Sequence, residues 1–321
     1  MLESYLKKFP KLRTDRGRKR YPADTNHRAP HKPFLLLSIM DLIAQGLITN
    51  NFIEPSFELV DTWNGYWSAV MPIGHRSTMA HPFPRLKSDG FWERITNPGY
   101  DPDADYNVTS MAKCREIYAG AKLDDQLFQY MCDQNSRDKL RAVLVQSYFH
   151  PQTQPIVIQQ GFVNAVSYEY AQTLVGKTGE QIGLFEKLSE EKKKPVRDAG
   201  FRKAIVNLYN HRCAMCGIRM LTPEGHTVVE AAHVVPWSKS HDDRPTNGMC
   251  LCRLCHWSFD EGLMSVGRDY EVQVSSRVRM DNNIPAHILP LADRKIFTPE
   301  EIIFWPSQGN IQTHYKTIYV R

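Results

Sequence analysis

The sequence predicts an α+β chain of two domains, a mostly helical front part and a smaller mixed part closed by a metal knuckle. Three observations predict it. Apolar residues in the first 150 positions recur mainly at helical spacing. Between Pro151 and Pro195 the composition turns polar, proline-marked and charge-alternating, as in PQTQPIVIQQGF and EKLSEEKKKP. Beyond it a short β-branched run, VVEAAHVV, lies between two CxxC pairs. A chain of 321 residues suits two domains of ordinary size, and 42% hydrophobic residues fill a core in each. The expected divisions are a domain over 1–155, a linker with some helix over 156–195, and a domain over 196–321.

HKPFLLLSIMDLIAQGLI reads as a buried helix. Pro33 suits its first turn, Leu36, Ile39, Met40 and Ile43 keep helical spacing, and Gly46 is a stop signal. FELVDTWNGYWSAV reads as a second helix. In HPFPRLKSDGFWERI the prolines disfavour a helix interior, and SDG before FWERI predicts a turn into a strand. MAKCREIYAG and DDQLFQYMCDQNSRDKLRAVLVQSYF return to helical periodicity. The second domain is expected to open with a helix in VRDAGFRKAIVNLYN, leading into the first CxxC. The tail from Asn282 is expected to pack back on it. No internal repeat is evident.

Net charge is +5, mildly basic and no proof of a nucleic-acid partner. The distribution says more: between Lys7 and Arg20 stand eight Lys/Arg against one acid, Asp15. Such a run is a solvated arm or a phosphate contact. No stretch reaches the ~20 apolar residues that span a bilayer, and the first residues lack the apolar region of a secretion signal. The expected location is the cytoplasm, with no membrane partner. Seven cysteines, an odd number, fit a reducing compartment where thiols bind metal.

Cys213 and Cys216 form one CxxC and Cys252 and Cys255 another, with 35 residues between the pairs. Four thiolates make a closed tetrahedral site, so one structural Zn2+ is expected there. The long insert has room for a hairpin. His233 belongs on a strand, where a lone His is ordinarily a satisfied core residue. Its company changes the weight: Asn247 follows fourteen residues later, and His256 directly follows Cys255. Phosphodiester hydrolysis needs a base to activate water and a cation to stabilise the phosphate and leaving oxygen. A neutral imidazole serves as that base near pH 7.

From Val196 to Val266 the sequence resembles the HNH endonucleases with the ββα-metal fold, in EAAHVVPW and TNGMCLCRLCHWSFDEGL. The resemblance implies that His233 is the general base, that Asn247 holds the loop, and that His256 binds a divalent ion, Mg2+ or Mn2+. One position departs from the pattern. Where many members place an Asp or His metal ligand directly before the base, this chain has Ala232. Asp260, four residues after His256 on one helix face, is the first substitute ligand and Glu230 the second. Either also has an ordinary structural reading.

In the front domain, HRAPHKPFLLL and HPFPRLKSDGFWE resemble the sulfur-binding domain of phosphorothioate-dependent type IV restriction endonucleases. Sulfur is larger, softer and less hydrated than oxygen, so a pocket selecting it offers apolar surface, with cations for neighbouring phosphates. The resemblance implies that Pro82 lies against the sulfur and that Pro84 and Arg85 flank the pocket. It implies that His27 and Arg28 contact double-stranded DNA, with Arg115 as a further contact. His81 stands where an aromatic Tyr is common. The expected function is cleavage of phosphorothioate-modified DNA, by a homodimer or by sequential nicking. Two alternatives stay open. The cue is a methylated base held by an aromatic cage such as Trp63, Tyr66 and Trp67, or an unmodified sequence. Or the chain is a non-catalytic zinc DNA-binding protein.

Overall fold

A computed structural model of the chain describes residues 2–176, 183–280 and 282–320. The chain divides into two compact units, Met1–Ala165 with Pro223–His226, and Val166–Thr222 with Thr227–Arg321. Among the described residues, no helix is long and apolar enough to cross a membrane.

The first unit holds α1 (Leu2–Lys8), α2 (His31–Ala44), α3 (Phe57–Val70), the short α4 (Pro82–Arg85), α5 (Met111–Ile117), α6 (Asp125–Cys132) and α7 (Gln134–Tyr148). One hairpin-like pair joins them, β1 (Trp92–Thr96) antiparallel to β2 (Tyr118–Leu123). Helix α2 is buried from Lys32 to Ile43, as expected of a helix apolar on every side. Pro33 lies in its first turn and Gly46 beyond its end takes φ +72°. Phe34 stacks between Tyr66 at 5.8 Å and Phe149 at 5.2 Å, tying α2 to α3 and to the end of α7. Asp41 is buried on α2 and fully partnered. Tyr66 Oη donates to it at 2.8 Å, Asn164 Nδ2 at 2.8 Å and Arg141 Nη2 at 2.5 Å. Removing one donor would leave a buried carboxylate short of partners, which typically costs several kcal/mol.

The structure departs from the expected elements in four places. The helix expected through Tyr118 and Gly120 ends at Ile117, and β2 begins. Gly120 passes so close to Phe52 that a Cβ would lie 2.7 Å from its ring, a contact that only a glycine strand residue permits. The long helical run after Asp124 breaks at Asp133, whose Oδ2 caps α7 by accepting from Ser136 N. The Pro82–Arg85 stretch does form a turn of helix. Its prolines fall in the first turn, where no intrahelical N–H is needed. Residues 156–195, expected as a linker with some helix, are more helical than that: they hold most of α8 (Gln154–Leu174), all of α9 (Gly183–Glu186) and the start of α10 (Glu190–Leu208). Part of that stretch, residues 177–182, lies outside the described residues.

The second unit is built on α10, which buries Val196, Phe201 and Ile205. Against it lies β3 (Val229–His233), antiparallel to β4 (Gly248–Cys252). A loop carrying α11 (Trp237–Ser240) joins the strands, and α12 (Arg253–Asp260) follows β4 directly. A Cβ on Gly248 would lie 2.3 Å from Ile205, so a glycine here lets the strand seat on α10. A second small pair, β5 (Met264–Val266) with β6 (Val272–Val274), and α13 (Gln308–Thr317) complete the unit. The tail packs back as expected: Ile311 joins the core, and His314 is buried.

Candidate functional site

The four cysteines converge. Their Sγ atoms all lie within 4.8 Å of one another, and Cys216 Sγ is 3.7 Å from Cys252 Sγ. That separation is far too long for a disulfide. It matches the edge of a zinc–thiolate tetrahedron, about 3.8 Å for bonds of about 2.3 Å. The crowding also divides the protons. Hydrogen bonding from Cys213 first pulls Cys216 down to about 7, and Cys252 is pulled down as well. Cys213 and Cys255 are pushed up, chiefly by the neighbouring thiols. Four sulfurs converging at this separation fit the structural zinc that the spacing implies. Cys250 lies outside the cluster; burial pushes its thiol up to about 12.

The knuckle fixes the start of α12 beside the β3–β4 ribbon, a strand–strand–helix unit. In the register, His233 pairs with Gly248 and Glu230 with Leu251. Asn247 is fully buried and staples the loop between the strands. Its Oδ1 accepts from Val235 N at 2.9 Å, and its Nδ2 donates to Val235 O at 3.0 Å and Asp242 O at 2.9 Å. His233 is the last residue of β3, and its side chain keeps 21% exposure, so it is not sealed in the interior. Its ring stacks on Phe201 of α10 at 3.9 Å. Its Nε2 lies 2.8 Å from Asp243 Oδ1, a partner that no local sequence pattern announced.

His256 lies on α12, one residue after Cys255. Its Nδ1 is 3.4 Å from Glu230 Oε2, and its Nε2 is 3.4 Å from Asp260 Oδ2. Both substitute ligands weighed from the sequence thus touch this one ring, at opposite nitrogens. Arg253 Nε also donates to Glu230 at 3.1 Å. Ala232 is buried and supplies no donor. By strand alternation Glu230 shares a face with position 232, and the His233 ring packs toward α10 through Phe201. A metal ion at one nitrogen of His256 would have one carboxylate beside it. The other carboxylate would hold the far nitrogen, as the outer partners of metal-bound imidazoles do.

In the first unit, a cleft of about 230 Å³ is lined by Arg13, Asp15, Tyr21, Ala29, His31, Lys32, His81, Pro82 and Arg85, among others. Three of the residues implied by the sulfur-binding resemblance therefore line one cleft: His81, Pro82 and Arg85. Burial, then His81 and Arg85, push His31 down to about 4. Burial and Arg85 lower His81. Both shifts favour the uncharged ring, so the wall is ring- and proline-lined with cationic groups around it. Lys32 Nζ is held by Asp89 Oδ2 at 2.6 Å and Ser88 Oγ at 2.9 Å. Arg85 Nη1 donates to His81 O at 2.9 Å.

The other implied residues lie outside this lining. Pro84 is buried. His27 takes φ +55° and its Nδ1 lies 3.0 Å from Tyr21 O. Arg28 lies over the Tyr148 ring at 4.3 Å and donates from Nε to Thr14 Oγ1 at 3.3 Å. Arg115 donates to the backbone carbonyls of Pro55 at 2.8 Å and Pro223 at 2.9 Å. Trp63 and Tyr66 are fully buried and Trp67 nearly so, the two tryptophans stacked at 5.0 Å, so these rings are core.

Comparison with known proteins agrees with the ribbon, knuckle and helix. The family model described as HNH endonuclease matches residues 213–267. This stretch is an HNH endonuclease domain. It contains all four cysteines, His233, Asn247 and His256. Among solved structures, one similar chain is titled "Modification dependent TagI restriction endonuclease". It is 23% identical over 39% of this chain and 39% of that one, with a TM-score of 0.29. The match thus spans well under half of either protein. No curated protein matches.

Proposed function

We propose that this protein is a metal-dependent DNA endonuclease whose first unit reads a phosphorothioate in the DNA backbone. The nuclease part rests on one observation. The HNH domain presents a partly exposed imidazole, His233, at the end of β3, and on the following helix α12 it holds His256 between two carboxylates. A divalent ion, Mg2+ or Mn2+, held by His256 with Asp260 or Glu230 would neutralise charge building on the scissile phosphate and leaving oxygen. His233 takes the proton of the attacking water. Asn247 keeps the loop after β3 in one shape, so the base emerges in a fixed direction. The zinc knuckle anchors the first turn of α12 and leaves water activation to His233.

The sulfur part is supported by the cleft. Pro82, Ala29 and two imidazoles shifted toward the uncharged form suit a poorly hydrated sulfur, while Arg13 and Arg85 suit the charges of flanking phosphates. Burial of Trp63 and Tyr66 speaks against an aromatic cage built from them for a flipped methylated base. Ala232 favours the alternative of a zinc module that binds DNA without cutting it. Digestion of paired plasmids, with and without phosphorothioate, in Mg2+ or Mn2+ tests the reading. Cleavage of the modified plasmid alone is expected. Equal cleavage of both would remove the sulfur reading. No cleavage of either, with binding retained, would favour the zinc module.

A further inference from the structure

The loop between β3 and β4 contributes a carboxylate with no role in the reading above. Asp243 is nearly buried, its side chain 6% exposed. A buried carboxylate persists when its oxygens are hydrogen-bonded. Here Oδ1 lies 2.8 Å from His233 Nε2, Oδ2 accepts from Tyr170 Oη at 2.8 Å, and Arg197 Nε lies 3.6 Å from Oδ2. Tyr170 belongs to α8 and Arg197 to α10, so both lie outside the matched HNH stretch. Arg197 is itself fixed, over the Trp237 ring at 3.6 Å and against Asp198 at 2.6 Å. Phe201 stacks on the imidazole and limits its tilt.

We infer that Asp243 is the positioning residue of His233, clamped by Tyr170 and Arg197, and that it selects which ring nitrogen acts as the base. The inference rests on His233 being the base. An ionised carboxylate only accepts hydrogen bonds, so the nitrogen facing it, Nε2, carries the proton. In a neutral imidazole that leaves the lone pair on Nδ1. The water O–H bond breaks with its proton moving to Nδ1. The oxygen keeps the electron pair and bonds to phosphorus, while the P–O bond to the leaving oxygen breaks and that oxygen takes a proton from solvent. The charge gained by the ring then faces Asp243, as a carboxylate-oriented base requires. Tyr170, Arg197 and Asp242 are ionisable groups that also face this pair.

Two measurements test it on the full chain. Nitrogen-15 spectra of ring-labelled protein read the His233 tautomer directly and need no substrate. The Nε2–H form is expected in the wild type, with a mixed population in Asp243→Asn. Cleavage of phosphorothioate plasmid in Mn2+ is compared for wild type, Asp243→Asn, Tyr170→Phe and His233→Ala. Asp243→Asn should lower kcat roughly 10- to 100-fold with KM unchanged, because the group acts through the base and does not touch DNA. Tyr170→Phe should give a smaller loss of the same kind. An Nδ1–H tautomer in the wild type overturns the inference. So does Asp243→Asn at wild-type kcat while His233→Ala is inactive, an outcome that leaves the base assignment standing. Full activity in His233→Ala sinks both.

Discussion

Two histidines of the second unit pack almost identically and are held in chemically opposite ways. His233 stacks on Phe201 at 3.9 Å, and His314 on Phe259 at 3.6 Å, each pair nearly parallel. His314 is 1% exposed, its Nδ1 2.9 Å from Ser265 Oγ and its Nε2 3.1 Å from Phe259 O. Burial pushes it down to about 4, so it stays neutral. His233 keeps a fifth of its surface and faces a carboxylate. The same ring on the same kind of platform is a core piece in one place and a candidate base in the other. What differs is the partner atom and the access of water, not the residue or its stacking.

The largest effect comes from removing the frame beneath both rings. Cys213→Ser or Cys255→Ser should unfold the second unit, a loss of about 5 kcal/mol or more, because zinc binding there is part of folding. Folded wild-type protein should carry one tightly bound zinc per chain by elemental analysis; folded protein without zinc would refute this. Next comes a double dissociation. His314→Ala should cost about 2–4 kcal/mol in chemical denaturation while sparing cleavage per folded molecule. His233→Ala should cost about 1–2 kcal/mol, since Asp243 keeps Tyr170 and Arg197, yet lower cleavage about 100-fold or more. Matching stability losses with matching activity would dissolve the contrast.

Acid should act through His314. Its folded value, about 4, lies below the ordinary 6.5, so the unfolded chain takes up the proton first. That contribution is complete above about pH 6.5 and is lost as pH falls toward 4, by at most roughly 3 kcal/mol. Denaturation curves at pH 7 and 4.5 should show it, and His314→Ala should flatten the slope. His31 should act alike in the first unit. The smallest effect separates the carboxylates around His256. Asp260→Asn and Glu230→Gln should each raise the Mn2+ needed for half-maximal cleavage about 10- to 100-fold. The larger shift marks the ligand, the smaller the ring-orienting partner. No change in either would move the ion elsewhere.

Much of the second unit was legible as text. Paired CxxC spacing, a β-branched run and a His directly after the last Cys name a knuckle, a strand and a helix start, because ligand spacing and side-chain period are local properties. The first unit was read less well. Tyr118–Gly120 looked helical until pairing with Trp92–Thr96 decided otherwise. The cause is that propensity over ten residues is weak against a partner strand supplied from elsewhere. In the cleft, Ala29, His31, Pro82 and Arg85 fall within the two quoted motifs, but Arg13 joins them from a stretch outside both.

The sequence by itself determined the chemical types available: four thiolates at knuckle spacing, two imidazoles and an amide in order, and an alanine where a ligand is common. Only the tertiary structure decided which groups face each other. It set Asp243 against His233, with Tyr170 arriving from 73 residues away, and it set both Glu230 and Asp260 on one ring. The physical reason is that a hydrogen bond or ligand contact is fixed by atoms within about 3 Å. Which atoms come that close follows from how helices pack on the ribbon, information spread over the whole core and held in no single stretch of chain.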